Sequence, residues 1–244
     1  MLINLNSNIT SKYANMVICQ VNEVPCFMPA TYLIDSIDVT CFFKPQRYTA
    51  LHDYISLSIN TSSYEDMKNS DADTITDFYC DLDYFHIKYT KFECYNGTEP
   101  YHYYLFDIYK KIIPTLTKCV FETLFIDRLF MQSFNKLIAE KIHTLKVRDY
   151  PLALKRNGII NRPSHWPTWL RPALLRREHG RCALCQSDLT ALLSSESKGE
   201  IDHIIPLNMG GSNDPTNLQL LCRKCNSDKG GNQDLTSGVY STYW

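Results

Sequence analysis

The chain has 244 residues, 44% of them hydrophobic and 21% charged, enough to bury one large core or two small ones and too apolar for a chain that stays unfolded. No apolar run approaches the ~20 residues of a membrane span, and the N-terminal MLINLNSNIT has neither the basic nor the apolar region of a secretory signal. The expectation is a soluble cytoplasmic protein with no membrane contact, in which the sequons at Asn8, Asn60 and Asn96 are chance matches.

In chain order, MVICQV (16–21) and DVTCFF (38–43) have the length and β-branched content of short strands, while LHDYISLSI (51–59) fits strand or helix. An acidic stretch from 62 to 83 suggests turns. From Tyr101 to about Lys146 the pattern is helical with a break near Pro114, and Leu124, Leu129, Phe134, Leu137 and Ile142 would form its apolar stripe. Pro151, Pro163, Pro167 and Pro172 then punctuate a linker-like region that ends in a short helix over about 168–179, with Trp166 and Trp169 as packing anchors. Of the nine glycines only Gly97 precedes residue 158, whereas 14 of the 16 tyrosines lie at or before Tyr150. That break suggests a domain over 1–150, mixed and partly helical, of no recognised family and suited to sensing or partner binding. A basic, Pro-rich linker over 151–170 and a second domain over 171–244 complete the division.

Charge is just as unevenly spread. The net −1 resolves into 11 basic against 17 acidic residues over 1–140, 10 against 2 over 141–181, and 4 against 7 over 182–244. Ten cysteines need an account. Cys19, Cys26, Cys41, Cys80, Cys94 and Cys119 share no spacing and are expected as core thiols. The other four form two C-x-x-C pairs, Cys182 with Cys185 and Cys222 with Cys225, separated by 36 residues. In a reducing compartment that pattern points to a structural zinc held by four thiolates. In a module of this size such a metal contributes on the order of 10–16 kcal/mol of binding coupled to folding.

Between the pairs lies GEIDHIIPLNMGGSNDPTNLQLL. Glu200, Asp202 and His203 sit in a β-branched segment that favours a strand, on which Asp202 and His203 alternate in facing. A turn at Gly210 and Gly211, a second strand, and a helix follow. Cys222 and Cys225 fall on the first turns of that helix, Asn226 comes directly after, and Gly230 and Gly231 end it. The expected order is strand, loop, strand, helix.

This segment resembles the HNH endonuclease family in its zinc-bearing form. The residues carrying the resemblance are Cys182 and Cys185, Asp202 and His203 with Pro206, Gly210 and Gly211, Asn217 and Leu218, and Cys222, Cys225 and Asn226 with Lys229 and Gly230. The resemblance spans about 60 residues, with Asn226 in the place of the final His of the triad. It implies an α+β chain whose C-terminal module is a ββα-metal fold, and an endonuclease that cuts DNA, in double-stranded form. His203 would be the general base, Asp202 and Asn226 the ligands of one Mg²⁺ or Mn²⁺, and Asn217 the residue orienting His203.

The residue types agree with that chemistry, since an imidazole accepts a proton from water near neutral pH and hard oxygens suit a divalent cation. Glu200 reads as a surface carboxylate rather than a supporting one. His52, His86, His102, His143, His165 and His179 lack such company and read as structural. The basic stretch would bring the polyanion in, with Arg171, Arg176, Arg177 and Arg181 nearest the site. A non-catalytic four-cysteine module that binds nucleic acid or protein is the competing reading, but it has no need of Asp202, His203 and Asn226. Restriction, phage-defence and homing roles, and a protein partner for the first domain, all stay open.

Overall fold

The computed structural model describes residues 8–22, 29–69, 72–90, 98–190 and 199–240; Cys26, Cys94 and Asn96 lie outside them. Its elements are helices α1 (Asn8–Val21), α2 (Ala30–Ser36), α3 (Ala50–Lys68), α4 (Ala72–Tyr84), α5 (Glu99–Tyr109), α6 (Ile113–Phe125) and α7 (Arg128–Thr144). Strands β1 (Leu154–Arg156) and β2 (Ile159–Ile160), helix α8 (Leu170–Arg177), strands β3 (Glu200–His203) and β4 (Leu218–Leu221), and helix α9 (Arg223–Lys229) follow. Among the described residues no helix is long and apolar enough to cross a membrane.

The first part of the chain is more helical than its short apolar runs suggest. Residues 16–21 end α1, because Ile9, Tyr13, Val17 and Val21 recur every fourth residue and are all buried. Residues 38–43 hold a 3₁₀ turn, Val39–Phe42, started by Asp38, whose carboxylate accepts from Thr40 N at 2.9 Å. The ambiguous segment at 51–59 lies in α3, where Leu51, Tyr54, Ile55 and Ile59 share one buried face. The acidic stretch is helical too. Ile75, Phe78, Tyr79 and Leu82 bury one side of α4 and leave Asp77 and Asp83 to solvent. Further along, the break near Pro114 separates α5 from α6 as expected, and Leu124, Phe134, Leu137 and Ile142 are buried, but Leu129 is exposed. Among the scattered thiols, Cys41 and Cys119 are buried, Cys19 is half-buried and Cys80 is exposed, so Cys80 is not a core thiol.

Two compact units form, each from separate stretches: Met1–Val17 with His52–Thr123, and Ile18–Leu51 with Leu124–Trp244. They divide the chain elsewhere than the composition break near residue 150. The first unit packs tyrosines. Tyr13, Tyr54 and Tyr109 are fully buried, and the Tyr13 hydroxyl meets Ser63 Oγ at 2.9 Å and Tyr109 Oη at 3.3 Å. Tyr109 in turn donates to Asp81 Oδ2 at 3.0 Å. The Tyr13 and Tyr109 rings each remove a large apolar area from water while their hydroxyls find partners. Burial pushes the Tyr13 hydroxyl up to about 12, which keeps it a neutral donor.

In the second unit, α7 is capped by Asp127, whose carboxylate accepts from Leu129 N and Phe130 N, and it packs against α2 and β2. The stretch read as a linker carries the antiparallel pair of β1 and β2. Trp166 and Trp169 pack on an apolar cluster of Leu170, Leu174, Ile201, Leu218, Leu220 and Leu221. A buried charge cluster ties α7 to α8. Arg128 and Arg177 both pair with Glu178, with side chains at most 1% exposed, and Arg177 Nη2 also donates to Leu218 O at 2.5 Å. Arg128 reaches on to the C-terminal segment through Ser237 O at 2.6 Å and Val239 O at 2.5 Å.

Glu178 is therefore the only carboxylate among the described residues that neutralises the two buried guanidiniums. Glu178→Ala would strand both charges away from water and should destabilise the protein by about 3–5 kcal/mol in denaturant unfolding. Wild-type stability in that variant would show that the cluster is wetted rather than buried.

Candidate functional site

β3 and β4 pair antiparallel with Glu200 opposite Leu221, Ile201 opposite Leu220, Asp202 opposite Gln219 and His203 opposite Leu218. Along β3 the side chains alternate as a strand requires. Ile201 and His203 are buried, while Glu200 and Asp202 lie on the half-exposed side. α9 runs against that second side, and its geometry sets the pairing. Asn226 and Lys229, three residues apart on one helical face, meet Glu200 and Asp202, two apart on one strand face. Asn226 Nδ2 donates to Glu200 Oε2. Lys229 Nζ, 1% exposed, lies 3.0 Å from Asp202 Oδ2 and donates to His203 O at 2.7 Å. Gln219, across the sheet, donates to the same Asp202 oxygen at 3.0 Å.

Glu200 is thus not a surface carboxylate but the partner of Asn226. Asp202 and Asn226 are brought to one face, each held by a neighbour rather than by the other. Asp202 Oδ1 and Asn226 Oδ1 accept no hydrogen bond among the described residues, so hard oxygens remain on this face for a divalent cation.

His203 is the last residue of β3, and its ring is fixed from the other side. Nε2 lies 3.0 Å from Asn213 Oδ1. The amide of Asn213 cannot be turned round, because its Nδ2 donates to Phe43 O at 2.9 Å and to Asn161 O at 2.8 Å. Asn213 therefore offers His203 only an acceptor, Nε2 must carry the proton, and Nδ1 keeps its lone pair. Burial holds the imidazole down at about 4, with Asn213 opposing and the Arg162 charge reinforcing the shift. At neutral pH the ring is uncharged and able to accept a proton. The Trp166 ring packs 5.7 Å away, centre to centre.

Asn217, which the resemblance implied would orient His203, makes no hydrogen bond to it among the described residues. Its side chain accepts from Ile205 N at 2.8 Å and donates to Ile205 O and Ser212 O, each at 2.9 Å, closing the loop between the strands. That loop also needs its glycines. A Cβ on Gly211 would come 1.9 Å from Ile205 O, and Gly210 has φ 81°. Asn213, Gln219 and Lys229 are the residues that position the site. Asn213 sits in a polar run, GSNDPTN, whose composition reads as a solvated turn, so no pattern in the sequence marked it.

At the cysteines, the four Sγ atoms lie within 4.8 Å of one another, with Cys185 and Cys222 at 3.7 Å. A tetrahedron with zinc–sulfur bonds of about 2.3 Å has edges of about 3.8 Å, so the set fits such an ion. Two tight turns aim the sulfurs inward. Gln186 N closes the first on Cys182 O at 3.0 Å, and Asn226 N closes the second on Cys222 O at 2.9 Å. Burial raises the Cys185 thiol, but hydrogen bonds with Ser187 and the neighbouring thiols outweigh it and hold it at about 6. Cys225 is pushed up by burial and by the Cys185, Cys222 and Cys182 thiols around it. A metal would bind with release of protons, and more weakly as pH falls.

The four arginines divide. Arg176 is exposed. Arg171 donates to Gly199 O, and Arg181 Nη1 donates to Gln186 O at 3.0 Å. Arg177 is buried on Glu178 and Leu218 O and is not available to a phosphate.

Replacing Asn213 tests the tautomer argument. Asn213→Ala should release Nε2–H, so that ¹⁵N imidazole shifts report a mixture of His203 tautomers, and should cost about 1–3 kcal/mol of stability from the two stranded carbonyls. A ring that stays fully Nε2-protonated in this variant would mean that Asn213 does not set it.

No curated protein and no solved structure matches the chain. The model of the HNH endonuclease family matches residues 182–238, a span that opens on Cys182 and includes both cysteine pairs, β3, β4 and α9.

Proposed function

We propose that the protein is a metal-dependent endonuclease that hydrolyses phosphodiester bonds in DNA, with a structural zinc on Cys182, Cys185, Cys222 and Cys225. The single-tautomer, uncharged His203 at the end of β3 carries this reading. A structural histidine would not need a free Nδ1 beside a face of unshared hard oxygens. A phosphate laid across the strand end would have His203 Nδ1 on one side, taking a proton from the attacking water. Asp202 and Asn226 on the other side would hold one Mg²⁺ or Mn²⁺. When bound, such an ion neutralises charge on the phosphate and on the departing oxygen. Lys229 and Gln219 keep the Asp202 carboxylate in place, and Glu200 keeps Asn226 turned so that its oxygen is presented. The exposed Arg171 and Arg176 of the basic stretch, with the half-buried Arg181, would draw the polyanion in.

Cleavage of plasmid and of labelled duplex by the full chain, with Mg²⁺ or Mn²⁺ and without, tests this directly. His203→Ala should lose roughly 10²–10⁴-fold in rate while keeping its metal content and its fold. Cutting at the wild-type rate would instead favour a non-catalytic binding module. Elemental analysis should find about one zinc per chain, and Cys222→Ser should lose it together with the fold of the C-terminal module, since three thiolates close a structural site badly. Active protein free of zinc would rule out that assignment.

A further inference from the structure

Within the second unit, outside the family match, lies a cavity of about 730 Å³. That is in the range of small-molecule sites, about 300–1,000 Å³. Its wall comes from residues 40–46 and 152–167, and its chemistry is one-sided. Lys44, Arg162 and His165 line it together with Phe43, Leu152 and several prolines, and no carboxylate does. Cations beside an aromatic ring and apolar surface suit an anion that carries a flat group, which describes a nucleotide.

The cavity is also wired to the imidazole. Phe43 and Asn161, both in its wall, give the two carbonyls that receive Asn213 Nδ2, and Asn213 Oδ1 is the acceptor for His203. Arg162 Nη2 lies 3.4 Å from Ile201 O on β3 itself. One side chain therefore separates the cavity wall from the general base of the proposed reaction.

We propose that this cavity binds one nucleotide unit of the strand being cut, flanking the scissile phosphate. Arg162 and Lys44 would bind its phosphate oxygens, and Phe43 and Leu152 would cover its base. This rests on the nuclease reading for the word "cut" but not for the binding. A contiguous strand, rather than a free nucleotide, is favoured because Phe43 and Asn161 of the cavity wall hold Asn213, which in turn holds His203. The same chemistry would accept a free nucleotide, and the experiment separates the two.

Full-length, zinc-loaded protein is titrated into fluorescein-labelled single-stranded and duplex DNA, with Ca²⁺ in place of Mg²⁺ and binding followed by anisotropy. The variants are Lys44→Ala with Arg162→Ala, which removes surface charge, and Ala153→Trp, which fills the cavity. Both should raise the Kd for the strand roughly tenfold. The double variant should also lower the log–log salt slope by about 1.4 on a single strand and about 1.8 on a duplex, for two lost phosphate contacts. Deoxyguanosine monophosphate should displace the labelled strand from wild type and not from the double variant. Unchanged Kd and salt slope in both variants would overturn the proposal. So would mononucleotide binding that leaves the strand in place, since the cavity would then serve a free ligand. If wild-type protein cuts no DNA under Mg²⁺ or Mn²⁺ yet the variants lose strand binding, the nuclease reading fails and the pocket stands.

Discussion

The second unit depends on a loop that is polar and buried at once. Ser212, Asn213, Asp214, Thr216 and Asn217 are at most 1% exposed, and each donor or acceptor taken from water there must be matched or destabilise the fold by about 1–3 kcal/mol. The loop cannot match them all itself. Asp214 Oδ1 accepts from Thr216 N at 2.8 Å, but its Oδ2 takes the N–H of Ala50 at 2.8 Å. Thr216 Oγ1 and Ser212 Oγ share the amide of Asn135 on α7, and Asn213 takes carbonyls from Phe43 and Asn161. Chain segments 52 to 170 residues apart are drawn into one unit by this matching, across the composition break.

The same matching sets the state of His203. An asparagine with both amide hydrogens committed can only accept, and that alone selects the tautomer of His203. On the opposite face of β3 the pairing is by charge, with a buried ammonium on Asp202 and an amide on Glu200. The two faces meet where the strand ends, so a phosphate there would find a proton acceptor on one side and hard oxygens on the other. The four clustered cysteines stand apart from this face and support it through the fold. Cys222 caps α9, the helix that carries Asn226 and Lys229, and Ala183 N donates to Leu220 O at 2.9 Å, tying the first cysteine turn to β4.

The buried Arg128, Arg177 and Glu178 cluster shows why a charge map is a poor guide to a binding surface. Ten basic residues over 141–181 suggest a continuous approach for a polyanion, but Arg177 is spent on a carboxylate and a backbone carbonyl, and Lys141 pairs with Asp35 at 2.6 Å. What remains exposed is a smaller set, part of which, with Arg162, borders the cavity rather than the open surface.

What the sequence determined by itself was the part whose chemistry depends on spacing. Two C-x-x-C pairs, Asp202 and His203 in a β-branched run, a Gly-Gly turn and Asn226 after the second pair define a strand–loop–strand–helix module, because strand alternation, tight turns and metal geometry act over a few residues. The helical stretch from α5 to α7 was legible for the same local reason, through its period and the break near Pro114. Tertiary structure decided everything that depends on long-range matching. Short apolar runs such as 16–21 carry no period of their own and took their state from the helix stripe they complete. Asn217 was visible as a motif residue, but only the fold shows that it closes a loop and that Asn213 holds His203. Glu200 and Arg177 both departed from their reading, the carboxylate taken by Asn226 and the guanidinium buried out of reach, because what packs against a residue decides its role.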